Sequence, residues 1–139
     1  MKKIVRFGVS MKKKLLEDFD GLISRKGYTN RSEAVRDLIR DYLVEEEWRT
    51  EKKEMIGTIT LVYDHHIRGL LDTLTDLQHH SHDMIKSTMH LHLDEVNCLE
   101  ILAVKGRGDK IKSIADKLIS VRGVKHGKLT MTTTGKELL

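Results

Sequence analysis

Three residues have the types and spacing of a transition-metal site: His90, His92 and Cys98, written His-x-His-x5-Cys. Two histidines two apart on a strand leave the same face of a sheet. Leu91 and Leu93 then point to the core. The turn Asp94-Glu95-Val96-Asn97 folds the chain back, so Cys98 opens the next strand alongside His92. His79, His80 and His82 lie one element earlier, at the end of a helix, and a fourth ligand can come from there, in the same chain or a facing one. His82 competes with His79 as that helix ligand. Imidazole and thiolate together suit Ni(II), Cu(II), Zn(II) or Co(II) and exclude calcium and magnesium. A tetrahedral arrangement favours zinc, a square-planar one nickel or copper. An isolated His-x-His pair is commonly two exposed histidines. The chain's only cysteine six residues on, and the histidine cluster before it, turn the reading toward a site. His65, in Tyr63-Asp64-His65, is a candidate for a weaker secondary cation site. His66, His80 and His126 read as surface or turn residues.

The elements that must position these ligands follow from residue patterning. Strands are expected over about 56–63, 88–93, 98–105 and 124–132, and helices over 67–80 and 109–121, with Gly123 as a stop. The order β-α-β-β-α-β is a ferredoxin-like split unit of the kind used by ACT-type regulatory domains. Its helices cover one face of the sheet, and the tail from Thr134 is expected to be loose. Residues 45–54 are almost purely charged and read as the end of the second helix running into a linker, with Trp48 packing against a neighbouring module.

The first fifty residues are patterned differently. Residues 4–10 alternate, with Val5, Phe7 and Val9 on one face and Arg6, Gly8 and Ser10 on the other, as in a half-buried strand. A helix follows over 12–25, stopped by Gly27, and Asn30 caps a second helix with Glu33 three residues on. One strand and two helices cannot bury their apolar faces alone, and a lone strand has two unpaired edges. Two chains would form an antiparallel ribbon over four helices. Such a ribbon fits the DNA major groove. Arg6, Gly8 and Ser10 would face the bases, and Asn30, Arg31 and Ser32 at the second helix start would hold a phosphate. Residues 1–14 carry six Lys and Arg and no acid, which suits a polyanion.

Composition narrows the function classes. The chain has 139 residues, 39% hydrophobic and 33% charged, with one cysteine and no proline. That suits a soluble protein of two small modules, 1–50 and 51–139, stabilised by self-association. No apolar run is long enough to span a membrane, no secretory leader opens the chain, and one cysteine fits a reducing, cytoplasmic setting. There is no His-Glu-x-x-His, no nucleophile elbow and no phosphate loop, and four protein ligands would close a metal to substrate, so an enzyme is not expected.

The combination of Gly27 to Asp37, Leu77-Gln78-His79-His80, His90-Leu91-His92, Asn97-Cys98-Leu99-Glu100 and Arg122-Gly123-Val124-Lys125-His126-Gly127 resembles the nickel-responsive regulators of the NikR family over the whole chain. The resemblance implies an α+β chain: an N-terminal ribbon-helix-helix domain, then an ACT-like metal-binding domain. It implies a nickel-dependent repressor of nickel-uptake genes, a homotetramer built as a dimer of dimers on double-stranded operator DNA. It also implies one Ni(2+) per subunit, held near-planar by His90, His92 and Cys98 of one chain and His79 of a neighbour. Arg6, Gly8 and Ser10 fall on the family's base-reading positions, the middle one often a hydroxyl residue. Glu33 and Asp37 fall where some relatives hold a bridging cation. A sensor of cobalt, copper or zinc on the same scaffold, a nickel storage or delivery protein, and a small-molecule sensor are the alternatives.

Overall fold

The computed structural model describes residues 3–50 and 52–139. Two helices, α1 (Lys13–Arg25) and α2 (Arg31–Thr50), precede β1 (Glu54–Asp64), α3 (Leu70–His80), β2 (Ile85–His92), β3 (Asn97–Arg107), α4 (Gly108–Ile119) and β4 (Val124–Thr132). The chain divides into two compact units, one up to Asp41 and one from Tyr42 onward.

In the first unit α1 ends as its sequence demands. Gly27 adopts φ +92°, a conformation in which a side chain is strained. Its N–H and that of Tyr28 cap the helix through the carbonyls of Ser24 (3.0 Å) and Ile23 (3.0 Å). Asn30 caps α2 as expected, its Oδ1 accepting the Glu33 N–H at 2.9 Å. The strand expected over 4–10 is not formed: residues 3–12 belong to no helix or strand. Val5, Phe7 and Val9 are 77, 70 and 68% exposed. A strand exists through its ladder, and this segment has no partner within one chain. Leu15, Leu22, Leu38 and Ile39 are exposed too, and among the described residues only Ile23 and Ala34 are buried in this unit.

The second unit is one antiparallel sheet of order β2-β3-β1-β4. Element order and strand order are those of the ferredoxin-like unit, and the chain as a whole is α+β. Met55, Ile59, Leu61 and Tyr63 of β1 alternate inward, as do Cys98, Glu100, Leu102 and Val104 of β3. Leu70 and Leu74 of α3 and Ile111, Ile114, Ala115 and Leu118 of α4 close over that face. The other face keeps Thr58, Thr60, Val62, Leu99 and Ile101 half-buried. Helix α3 starts at Leu70 and not at Ile67, because Gly69 takes φ +79°.

The charged stretch 45–54 begins as the end of the second helix, as expected: α2 runs to Thr50. Trp48 explains why. It is 1% exposed, its ring packs in the second core, and its Nε1 donates to the Thr132 carbonyl at 2.7 Å. Gly57 lets β1 approach the backbone of β4 beside it. A Cβ there would meet Thr130 O at 2.8 Å and the Trp48 ring at 3.6 Å. The tail is also tied, with Lys53 Nζ on Glu137 at 2.6 Å. Trp48→Ala is expected to cost about 3–5 kcal/mol, the range for an emptied aromatic core position. The check is the urea midpoint followed by circular dichroism; a loss below about 1 kcal/mol would refute the anchoring role.

Candidate functional site

Register brings two of the sequence-predicted ligands, His92 and Cys98, together. His92 pairs with Cys98 and His90 with Glu100 across β2 and β3. Directly opposed residues share a face, so His90 and His92 stand on the side of Cys98 and Glu100. That is the helix-covered side. The expectation that Leu91 and Leu93 point to the core is therefore reversed; they are 44 and 53% exposed. The reason is that β2 is an edge strand beyond the cover of α4, which packs on β4, β1 and β3. Neither face of β2 is buried, so apolar alternation there does not mark the core.

Cys98 is buried, and its Sγ lies 3.4 Å from His92 Nδ1. His65 joins them: one donor atom each from His65, His92 and Cys98 lies within 4.8 Å of the others. The His65 and His92 rings meet edge to face at 5.5 Å. His65 is held by its own N–H to Val96 O (3.1 Å) and by Nε2 against Glu95 O (2.9 Å). His90 stands instead beside Glu100, Nε2 to Oε2 at 3.4 Å. His79 lies exposed in the last turn of α3 and is not part of this grouping. His82 leans back on the helix, Nδ1 to His79 O at 3.1 Å.

Glu100 is the feature that patterning did not single out. It is 1% exposed, an acidic side chain in the core. Its Oε2 accepts the Tyr63 hydroxyl at 2.8 Å and its Oε1 the Gln78 Nε2 at 2.6 Å. Burial, then the hydrogen bond to Glu100, pushes the Tyr63 phenol well above its ordinary range. A buried carboxylate so partnered avoids the cost of an unpaired charge. It can also take the Nε2–H of His90 and leave Nδ1 for a metal, the usual device that orients ligating histidines. The signal was an acid at an apolar position in Cys-Leu-Glu-Ile-Leu-Ala-Val. Beside it, Asp94 is held down to about 2 by the N–H of Asn97, the Asn97 side chain and the N–H of Val96.

The donors are nitrogen and sulfur, with a carboxylate behind one imidazole. That set fits Ni(II), and equally Cu(II), Zn(II) or Co(II), and does not fit a hard oxygen-seeking cation.

Arg6, Gly8 and Ser10 are all exposed, as are Asn30, Arg31 and Ser32 at the start of α2. Arg31 forks onto Asp20, Nε to Oδ1 at 2.8 Å and Nη2 to Oδ2 at 2.7 Å. That hydrogen bond holds the Asp20 carboxyl below the usual carboxylate range. The Asp37 carboxylate takes the Tyr28 hydroxyl at 2.5 Å and Arg40 Nη1 at 3.0 Å, and the first bond lowers its pKa. Glu33 gives its backbone N–H to the Asn30 cap. Within this chain the three sequence-singled cation candidates thus lie apart by role: His65 at the Cys98 cluster, Asp37 and Glu33 on α2.

Comparison with known proteins agrees with both halves. The family model described as "NikR C terminal nickel binding domain" matches residues 56–132. The ribbon-helix-helix protein, copG family, matches 5–46. Relatives assigned as nickel-responsive regulators include one from Geobacter sulfurreducens, 61% identical over 99% of both chains. Another, from Pyrococcus furiosus, is 58% identical over 98% of this chain and 99% of its own. A solved structure of an uncharacterized protein from Thermotoga maritima shares the fold, with TM-score 0.53 at 18% identity over 58% of this chain and 100% of its own. These relatives carry the names of regulators and not of enzymes, and their two domain types imply nickel response, DNA binding and self-association. The chain belongs to the nickel-responsive regulator family, with a ribbon-helix-helix DNA-binding segment ahead of a nickel-binding domain.

Proposed function

We propose that the protein is a nickel-dependent repressor of nickel-uptake genes, a cytoplasmic homotetramer that binds operator DNA when Ni(II) is bound. The observation that carries this is the His92–Cys98 pair at 3.4 Å, with His90 two residues earlier on the same side. Three donors thus come from one hairpin, and the fourth, His79, comes from a neighbouring chain. Held by these residues, Ni(II) would supply a cross-link between subunits, one per chain. Glu100 orients His90, and through Gln78 it also touches the residue before His79. The hairpin and the end of α3 are therefore tied to one carboxylate.

The exposed half of the sheet, with Met89, Leu91, Leu99 and Ile101 on one side, supports assembly of these domains face to face. The residues Val5, Phe7 and Val9 support pairing of two N-terminal strands, with Arg6, Gly8 and Ser10 turned toward bases. Asn30 and Ser32 with the free N–H groups of α2 would hold a phosphate, and Arg31 supports the helix start through Asp20. Glu33 and Asp37 remain the proposed secondary cation position. Modules 1–50 and 51–139 serve as the DNA-binding and metal-binding parts.

The test is a Ni(II) titration of reduced protein followed by ultraviolet–visible absorption, with operator binding measured with and without nickel. A sulfur-to-nickel charge-transfer band saturating at one metal per chain is expected. His79→Ala is expected to lower nickel affinity by about a hundredfold, one ligand's share of a four-ligand site, with unchanged thermal stability of the metal-free protein. Unchanged affinity would refute its ligand role.

One observation favours a second reading. His65, His92 and Cys98 converge within a single chain, a nitrogen and sulfur set that suits a tetrahedral ion such as Zn(II) or Co(II). A sensor of another metal on this scaffold would answer to that ion on DNA, and competition between metals with operator binding as the readout separates the two.

A further inference from the structure

The ladder between β1 and β4 is broken at one point. Val62 pairs with His126 and Tyr63 with Val124, so Lys125 has no opposite residue. A bulge of this kind re-aims the side chain of its extra residue. Lys125 Nζ donates to Asn97 Oδ1 at 2.6 Å. Asn97 is the residue directly before Cys98, and its Nδ2 donates to Asp94 Oδ2 at 3.0 Å. Asp94 Oδ1 accepts the N–H of Val96 at 2.8 Å and of Asn97 at 2.7 Å. The Asn97 carbonyl accepts the N–H of Leu93 at 2.9 Å. Leu93, Asp94, Val96 and Asn97, four of the five residues between His92 and Cys98, are thus tied into one chain of hydrogen bonds, and its outer end is a lysine from the far edge strand.

We propose that Lys125, with Asn97 and Asp94, is a positioning device that sets the spacing of His92 and Cys98 and so favours nickel over zinc. This rests on the nickel reading above. A turn of four residues can rock, and rocking moves a sulfur and a nitrogen that must meet one ion. Ni(II) in a planar field has strict angular demands, whereas Zn(II) has no geometric preference from its d electrons. A looser pair therefore costs nickel more than zinc. Groups that orient metal ligands typically change affinity about 10-fold to 100-fold when removed.

The experiment uses the full-length reduced protein and the variants Lys125→Met and Lys125→Arg. Nickel and zinc affinities are measured by competition with a chelator, and the sulfur-to-nickel band is recorded for each. Lys125→Met keeps the length of the side chain and loses the donor. It is expected to lower nickel affinity at least about 10-fold, to lower zinc affinity less, and to shift the band. Lys125→Arg, which keeps a donor and the charge, is expected to restore all three. Equal affinities and an unshifted band in Lys125→Met would overturn the proposal, as would an equal loss for both metals, which marks general destabilisation. A wild-type protein without any sulfur-to-nickel band would sink the nickel reading itself. A wild-type band with an unchanged variant sinks only the role of Lys125.

Discussion

Cys98→Ala is expected to abolish the sulfur-to-nickel charge-transfer band and to lower nickel affinity by about a hundredfold or more. Four-ligand zinc sites supply roughly 10–16 kcal/mol, so one ligand's share is about 3 kcal/mol, and each 1.4 kcal/mol is about tenfold. Cys98 is the only cysteine, so no second thiolate can substitute. It is also buried, opposite Tyr63 across the ladder between β1 and β3. Alanine there leaves a small void, so thermal unfolding of the metal-free variant is measured alongside. Nickel-dependent operator binding is expected to vanish with the band, while the weak nickel-independent binding to any duplex stays. A persisting band, or operator binding that still answers to nickel at the wild-type concentration, would refute the thiolate site.

Arg6→Ala is expected to erase operator selectivity with the nickel site intact. A bidentate arginine–guanine contact discriminates by about 1–3 kcal/mol, and a ribbon made by two chains carries two such side chains. The ratio of specific to non-specific binding should fall by roughly 30-fold to 10,000-fold. The residue is exposed on a segment that makes no ladder within one chain, so its loss should not disturb folding. The assay is binding to a duplex selected from a random-sequence pool against a scrambled duplex, at fixed salt. The logarithmic salt slope should change little by comparison with Lys12→Ala, where each lost phosphate contact lowers it by about one. An unchanged preference for the selected duplex would refute base readout by Arg6.

Much of this was legible in the residues. Asn30 capping α2, Gly27 stopping α1 and the six elements after residue 53 follow local rules of capping, φ and periodicity, and they stand within two or three residues of expectation. The pairing of His92 with Cys98 follows from turn length alone. Other features were not legible. The strand over 4–10 needs a second chain, since ladder hydrogen bonds cannot form to nothing. The run from Glu45 to Thr50 read as the end of the second helix, but what Trp48 packs on was not legible, since its hydrogen-bond partner Thr132 lies far along the chain.

The amino-acid sequence by itself determined the types of the candidate ligands, their spacing on one hairpin, the basic acid-free start and the order of the elements. These are local properties, set by residue chemistry and by neighbours a few positions away. Only the tertiary structure decided which face of β2 holds the histidines, that Glu100 lies buried between Tyr63 and Gln78, that His65 comes to Cys98, and that Lys125 reaches Asn97. Each of those depends on strand order, on which side the helices cover and on a single bulge. They are long-range choices, and the free energy that makes them is spread over the whole core rather than written in any one segment.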